Sequence, residues 1–106
     1  MSLKDHQNKV DEWANQFEKP YWSPLSQLAR LMEETGELSR EINHRYGDKP
    51  KKSTEEIKEI ADELGDIIFT IICIANNLRI DLDEAFEKVL EKYKIRDIDR
   101  YKKKIC

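Results

Sequence analysis

Two acidic clusters hold the residues of this chain best suited to chemistry: Glu33-Glu34-x-x-Glu37 and Glu63-x-x-Asp66. Each falls inside a segment whose apolar residues recur at helical spacing. Residues three or four apart share a helix face, so Glu34 and Glu37 point one way together, as do Glu63 and Asp66. Like charges at that spacing repel by roughly 0.2–0.5 kcal/mol per pair. A cation between the clusters would offset that repulsion. Four carboxylates, with no sulfur and no paired imidazole, suit a hard ion such as Mg²⁺.

The competing reading makes these acids a solvated helix face. Three features count against it. Solvated faces usually interleave Glu with Lys or Arg, yet no basic residue lies between Met32 and Ser39 or between Ile60 and Thr70. The acids also abut apolar positions (Leu31, Met32, Leu38, Leu64, Ile67), where unpaired charge is costly. Finally, Gly36 and Gly65 interrupt the clusters. Mid-helix glycine costs about 1 kcal/mol relative to alanine, and a close approach of helix to helix or helix to ligand would account for it. Glu41-x-x-His44 has the spacing of a di-iron ligand pair, but such bundles need it twice and the second acidic segment has no histidine. His44 therefore reads as a surface or cap residue.

The elements that must position these acids are helical. Residues 3–17 carry Leu3, Val10, Trp13, Ala14 and Phe17 as an apolar stripe, with Trp13 in the core. Ser23 and Pro24 suit the N-cap and first position of a second helix over 24–46, with Gly47 at its end. Its stripe is Leu25, Leu28, Leu31, Met32, Leu38, Ile42 and Tyr46. Ser53-x-x-Glu56 is a capping-box pattern that opens a third helix running to about residue 78. Over 67–75 that helix is apolar on nearly every side, so it is buried centrally or against another subunit. Asp81-x-x-Glu84 opens the fourth, whose apolar positions are Leu82, Ala85, Phe86, Val89, Leu90 and Tyr93. Ile95, Ile98, Tyr101 and Ile105 would extend it. The expectation is an all-α bundle of four helices forming one domain over residues 1–106.

Composition narrows the function. Of 106 residues, 39% are hydrophobic and 39% charged, and the net charge is only −3 with the signs interspersed. That argues against nucleic acid and anionic membrane as partners. The longest apolar run is too short to span a bilayer. The first residues lack the apolar core of a signal peptide. Cys73 and Cys106 read as free thiols in a reducing cytoplasm.

The motif Glu33-Glu34-x-x-Glu37 followed by Glu63-x-x-Asp66 resembles the MazG-like all-α nucleoside triphosphate pyrophosphohydrolases. The resemblance runs from Trp22-Ser-Pro-Leu through Ala29-Arg-Leu-Met-Glu-Glu-Thr-Gly-Glu-Leu to Asp62-Glu-Leu-Gly-Asp-Ile-Ile-Phe and Ile80-Asp-Leu-Asp-Glu-Ala. It implies a MazG-like bundle and hydrolysis of a nucleoside triphosphate between its α- and β-phosphates, giving monophosphate and pyrophosphate. The implied cofactor is Mg²⁺, with Mn²⁺ as substitute, held by Glu34, Glu37, Glu63 and Asp66. Glu33 would orient or deprotonate the attacking water, or else lie on the surface. Lys88, Lys92 and Arg96 recur every four residues on one helix face, where the family has basic residues, and would meet phosphates. Leu90 departs from the asparagine that many relatives carry between the two lysines. Trp22 offers a stacking face for a base, and Asn77 a hydrogen bond to base or sugar. The 49–52 loop is basic and reads as a solubilising segment.

Relatives of this size work as dimers or dimers of dimers, so a homo-oligomer is expected, with sites near subunit contacts. The implied role is housecleaning of non-standard nucleotides. Two other readings compete. One is a non-enzymatic helical interaction module; the other is a di-iron carboxylate protein with His44 as a ligand.

Overall fold

The computed structural model describes residues 1–49 and 59–104. Four helices follow one another: α1 (Leu3–Ala14), α2 (Pro24–Tyr46), α3 (Ile60–Asn77) and α4 (Leu82–Arg96). No strand occurs among the described residues. The all-α, four-helix expectation therefore holds.

Local chemistry sets the helix ends. Ser2 caps α1 through a capping box, its hydroxyl accepting from the Asp5 amide at 3.0 Å while the Asp5 carboxylate accepts from the Ser2 amide at 3.0 Å. The Ser2 amide first, and the Ser2 hydroxyl second, hold the Asp5 carboxyl below the usual carboxylate range. α2 begins as its sequence dictates: Ser23 accepts from the Ser26 amide at 3.2 Å and Pro24 opens the first turn. It stops at Gly47, where a β-carbon would press on the carbonyl oxygen of Asn43. Asp81 caps α4 by accepting from the Asp83 and Glu84 amides at 2.9 and 3.3 Å.

Three predicted helices are longer than the observed ones; α3, expected from Ser53, begins at Ile60 with Glu59 extended at its N-cap. α1 stops at Ala14 rather than Phe17. The Asn15 side chain donates to the Asp11 carbonyl at 2.7 Å, and the Gln16 and Phe17 amides turn tightly onto the carbonyls of Trp13 and Ala14. α4 ends at Arg96 because the Asp97 carboxylate takes the Arg96 guanidinium at 3.0 and 3.3 Å and the chain turns. The capping box predicted at Ser53 and Glu56, the basic residues 51 and 52 and the two terminal residues, Ile105 and Cys106, lie outside the described residues.

α2 and α3 form the main pair, α1 lies on α3, and α4 packs on α1. Three contacts along the seam show that α2 and α3 are antiparallel. Asn77 donates to the Trp22 carbonyl at 3.3 Å, Glu34 and Glu37 meet Glu63 midway, and Arg45 pairs with Glu59 at 3.4 Å. The link from α1 to α4 is polar. The Asp83 carboxylate accepts from the first two amides of α1, Leu3 and Lys4, at 3.1 and 3.2 Å. It thereby satisfies donors that have no partner within the helix.

The core is small. Among the described apolar residues only Ala14, Ile72, Cys73 and Ala75 are buried. Trp13, predicted to be core, is half exposed and meets Phe17 and Phe69 edge-on, with ring centroids 5.3 and 5.8 Å away. The segment 67–75, predicted to be buried centrally or against another subunit, leaves Ile68 and Ile71 exposed within one chain. On α2 the predicted apolar stripe faces outward: Leu25, Leu28, Met32, Ile42 and Tyr46 are exposed, while Gln27 and Glu41 are buried. Gly36 and Gly65 do not mark close helix contacts, since a β-carbon at either position would meet nothing within 4 Å. The arrangement is open. Its radius of gyration is 17.8 Å, against about 13 Å for a compact domain of this length.

The α3–α4 turn carries the sole positive φ among the described non-glycine residues, 58° at Arg79. A side chain pays about 1–2 kcal/mol in that region, while glycine pays roughly 0.5–1 kcal/mol in chain entropy. Arg79→Gly should therefore stabilise the chain by about 0.5–1 kcal/mol, measurable as a higher urea midpoint at unchanged slope.

Candidate metal and nucleotide site

Antiparallel packing of α2 on α3 gathers Glu34, Glu37 and Glu63, which can each offer an oxygen within 4.8 Å of the other two. Glu63 is fully buried, and Glu34 and Glu37 are half-buried. Glu34, Glu37 and Glu41 lie at helical spacing on α2, so the polar stripe rather than the apolar one lines this seam. Carboxylates so close together repel, and the low dielectric around a buried Glu63 strengthens the effect. An all-oxygen donor set of this kind fits a hard divalent cation. No other group of His, Cys, Asp or Glu with metal-binding geometry occurs among the described residues, and His44 is not part of this one.

The other predicted site residues lie around this group. Asp66 is outside it, exposed one turn further along α3, with its carbonyl accepting from the buried Thr70 hydroxyl at 2.9 Å. Glu33 is exposed beside Glu34. Trp22 is 57% exposed, and the Asn77 amide is spent on its carbonyl. Lys88, Lys92 and Arg96 are exposed on α4. Lys92 and Arg96 both lie over the Tyr93 ring, at 5.2 and 4.3 Å, and Arg96 is held by Asp97.

Arg30 is the residue that the sequence reading overlooks. Its guanidinium lies between the Trp22 and Phe69 rings, 5.3 and 5.5 Å from their centroids, and its Nε is 4.0 Å from Glu34. It therefore bridges the aromatic face at residue 22 and the carboxylate cluster. The signal was available. Arg30 stands four residues before Glu34, one turn outside the window in which no basic residue occurs.

Next to Trp22, the Tyr21 hydroxyl donates to Asp11 at 2.5 Å and accepts from Asn76 at 3.0 Å. Burial first, and the Asp11 hydrogen bond second, push its pKa up to about 12.

A helix pair that encloses a carboxylate cluster, flanked by an arginine and an aromatic face, is suited to hold a divalent cation beside a planar or anionic ligand. Comparison with known proteins narrows the class. The profile of the MazG nucleotide pyrophosphohydrolase domain matches residues 22–101. YpjD of Bacillus subtilis (strain 168), itself uncharacterized, is 50% identical over 103 residues, covering 97% of this chain and 93% of that protein. YvdC of the same organism, also uncharacterized, is 29% identical over 93 residues, or 78% of this chain and 88% of its own. The crystal structure of Bacillus subtilis YPJD superposes with a TM-score of 0.78 at 50% identity, covering 88% of this chain and 95% of that one. A Bacillus-conserved MazG protein, a nucleotide pyrophosphohydrolase, superposes with a TM-score of 0.76 at 45% identity, covering 88% and 90%. This chain belongs to the MazG nucleotide pyrophosphohydrolase family. It is an enzyme of that hydrolase class.

Two outcomes test the site. Divalent-cation binding at the seam should raise the thermal midpoint. At a hundredfold excess over Kd the gain is about 2.7 kcal/mol, and differential scanning fluorimetry with Glu63→Gln should show none of it. The second concerns Tyr21, whose raised pKa means that the folded chain holds the phenolic proton more tightly than the unfolded one. Its contribution to stability is complete below its ordinary pKa of 10 and lost as pH rises towards about 12. Over that range Tyr21→Phe should lose less stability than the parent in urea titrations.

Proposed function

We propose that the enzyme hydrolyses nucleoside triphosphates, including deoxy forms, between the α- and β-phosphates, with Mg²⁺ as cofactor and Mn²⁺ as substitute. The observation that carries this reading is the three-carboxylate group at the α2–α3 seam, formed by motif residues inside the matched stretch around a buried Glu63. Glu34, Glu37 and Glu63 would hold the ion, and Asp66 is added as a fourth ligand on spacing alone. When bound, Mg²⁺ neutralises the polyphosphate and makes a coordinated water more acidic. In the reaction the water oxygen bonds to a phosphorus of the α–β anhydride and the bond to the bridging oxygen breaks. Monophosphate, pyrophosphate and one proton result. Glu33 would orient that water or take its proton.

Trp22 would stack on the base, and Asn77 supports the Trp22 backbone from behind. Arg30, between Trp22 and Glu34, stands where a sugar or α-phosphate must pass if the base lies on Trp22 and the phosphates on the cluster. Lys88, Lys92 and Arg96 would take the remaining phosphate charge. The physiological role we favour is housecleaning of non-standard nucleotides.

We also propose that the chain works as a homodimer or dimer of dimers. The outward apolar stripe of α2, an α4 with no buried residue, and the open shape all support it. Residues 1–106 are read as one domain, since α1 is hydrogen-bonded to both α3 and α4. A cytoplasmic location fits the buried free thiol of Cys73. No described helix is long and apolar enough to cross a membrane.

The test is a panel of standard and damaged (d)NTPs with Mg²⁺, scored for monophosphate and pyrophosphate. Turnover should need the divalent ion and fall more than about 100-fold in Glu63→Ala, beyond the loss typical of outer-shell partners. Release of single orthophosphates, or activity that survives Glu63→Ala, would overturn the reading.

A further inference from the structure

The family match begins at residue 22, so α1 and Tyr21 precede it. Yet α1 is tied to the start of the matched stretch by a continuous polar network. Gln7, only 5% exposed, donates to Asn76 Oδ1 at 2.9 Å and to the Ile80 carbonyl at 2.8 Å, and accepts from the Leu82 amide at 2.9 Å. Asn76 in turn donates to the Gln7 carbonyl and to the Tyr21 hydroxyl, each at 3.0 Å. Tyr21 donates onward to Asp11 of α1 at 2.5 Å. Each polar group of this network on Gln7, Asn76 and Tyr21 has a protein partner, so these residues form a support rather than an open ligand site.

What the network supports is Trp22. Trp22 is more than half exposed. Its backbone, however, runs between two fixed points. Tyr21 is fixed by α1 and α3, and Ser23 caps α2. Asn77, next to Asn76 on α3, holds the carbonyl between them. α1 also steadies the far side of the aromatic row, since Trp13 meets Phe69, which flanks the Arg30 guanidinium opposite Trp22. A stacking residue fixed in advance need not be ordered at the moment of binding, and ordering is a cost taken out of affinity.

We propose that α1 is a brace for nucleotide binding, in which Asp11, Gln7, Asn76 and Tyr21 are positioning residues that set where the Trp22 indole stands relative to the carboxylate cluster. The proposal rests on the reading of Trp22 as the base platform. It assigns the N-terminal helix, outside the matched stretch, a part in substrate affinity rather than in the chemical step.

The experiment uses the full chain, Mg²⁺, and dATP, dCTP, dGTP and dTTP as probes, with KM and kcat measured separately. Tyr21→Phe keeps the ring and removes the hydroxyl; Asp11→Ala, at an exposed position, removes only its acceptor and serves should the first variant fold poorly. Either should raise KM about fivefold, the worth of one hydrogen bond, with kcat within twofold of the parent. Added to Trp22→Ala, neither should raise KM further, because both act through the indole. In a Trp13→Phe background, Trp22 fluorescence anisotropy should fall in both variants. Unchanged KM and anisotropy in folded variants would overturn the brace, as would effects that multiply with Trp22→Ala. If Trp22→Ala itself leaves every KM unchanged, or no nucleotide is turned over, the platform reading fails and takes the nucleotide role of the brace with it. If Trp22→Ala raises KM and Tyr21→Phe and Asp11→Ala do not, the brace alone fails.

Discussion

The structure depends on the confinement of negative charge to the seam between two antiparallel helices. Glu63 is fully buried on α3, opposite Glu34 and Glu37 on α2. Buried carboxylates are costly unless cations and hydrogen-bond donors surround them. A helix pair closed on such residues gives up hydrophobic stabilisation at its own centre. That loss fits the proposed binding of a cation and a polyanion at the seam, because groups fixed before binding need not reorganise during the reaction. The stability has to come from elsewhere in the molecule.

The faces of α2 show where. A helix with one apolar and one polar stripe normally turns the apolar side inward. Here Gln27 and Glu41 are buried while Leu25, Leu28, Met32 and Tyr46 face outward. Exposed apolar area of this extent is the surface that the proposed homo-oligomer would cover. α4 repeats the pattern: Phe86, Val89, Leu90 and Tyr93 are all more than a third exposed. Within one chain α4 is joined mainly through α1 and the Asp83 carboxylate. The inverted α2 and the lightly seated α4 are thus two consequences of one choice, which reserves the α2–α3 seam for charge.

This also explains what could be read from the sequence. Helix starts and stops are local events, and Ser23-Pro24, Gly47 and Asp81 announce them through side chains within a few residues of each end. The spacing put each acidic cluster on one helix face, but that Glu34 and Glu37 meet Glu63 depends on the antiparallel packing of α2 on α3. Periodicity, by contrast, identifies stripes but not the partner each stripe meets. The apolar stripe of α2 reads as one side of a core, and the 67–75 segment of α3 as buried centrally or against another subunit, because the pattern is the same in both cases. Gly36 and Gly65 open to free space rather than to a neighbouring helix, which leaves the approach of a ligand as the expected reason for them. Asp66 shows the limit of the i, i+3 argument. Sharing a helix face with Glu63 leaves about 60° between them, enough for one to be buried and the other exposed.

Arg30 and the Gln7–Asn76–Tyr21 network were harder to see because neither is a motif. An arginine four residues before a glutamate is common on any charged helix, and Gln7 and Asn76 are 69 positions apart. Their significance arises only when α1 folds onto α3. Gln7 then satisfies the Ile80 carbonyl and the Leu82 amide, groups that the end of α3 and the start of α4 leave without helical partners. A glutamine that closes the α3–α4 turn must lie at its mouth, which puts its own carbonyl against Asn76 and, through Asn76, against Tyr21. The placement of Trp22 is in this sense a by-product of how the chain ends one helix and begins the next. A site that one helix pair could not hold rigid gains its second anchor from the helix that precedes them both.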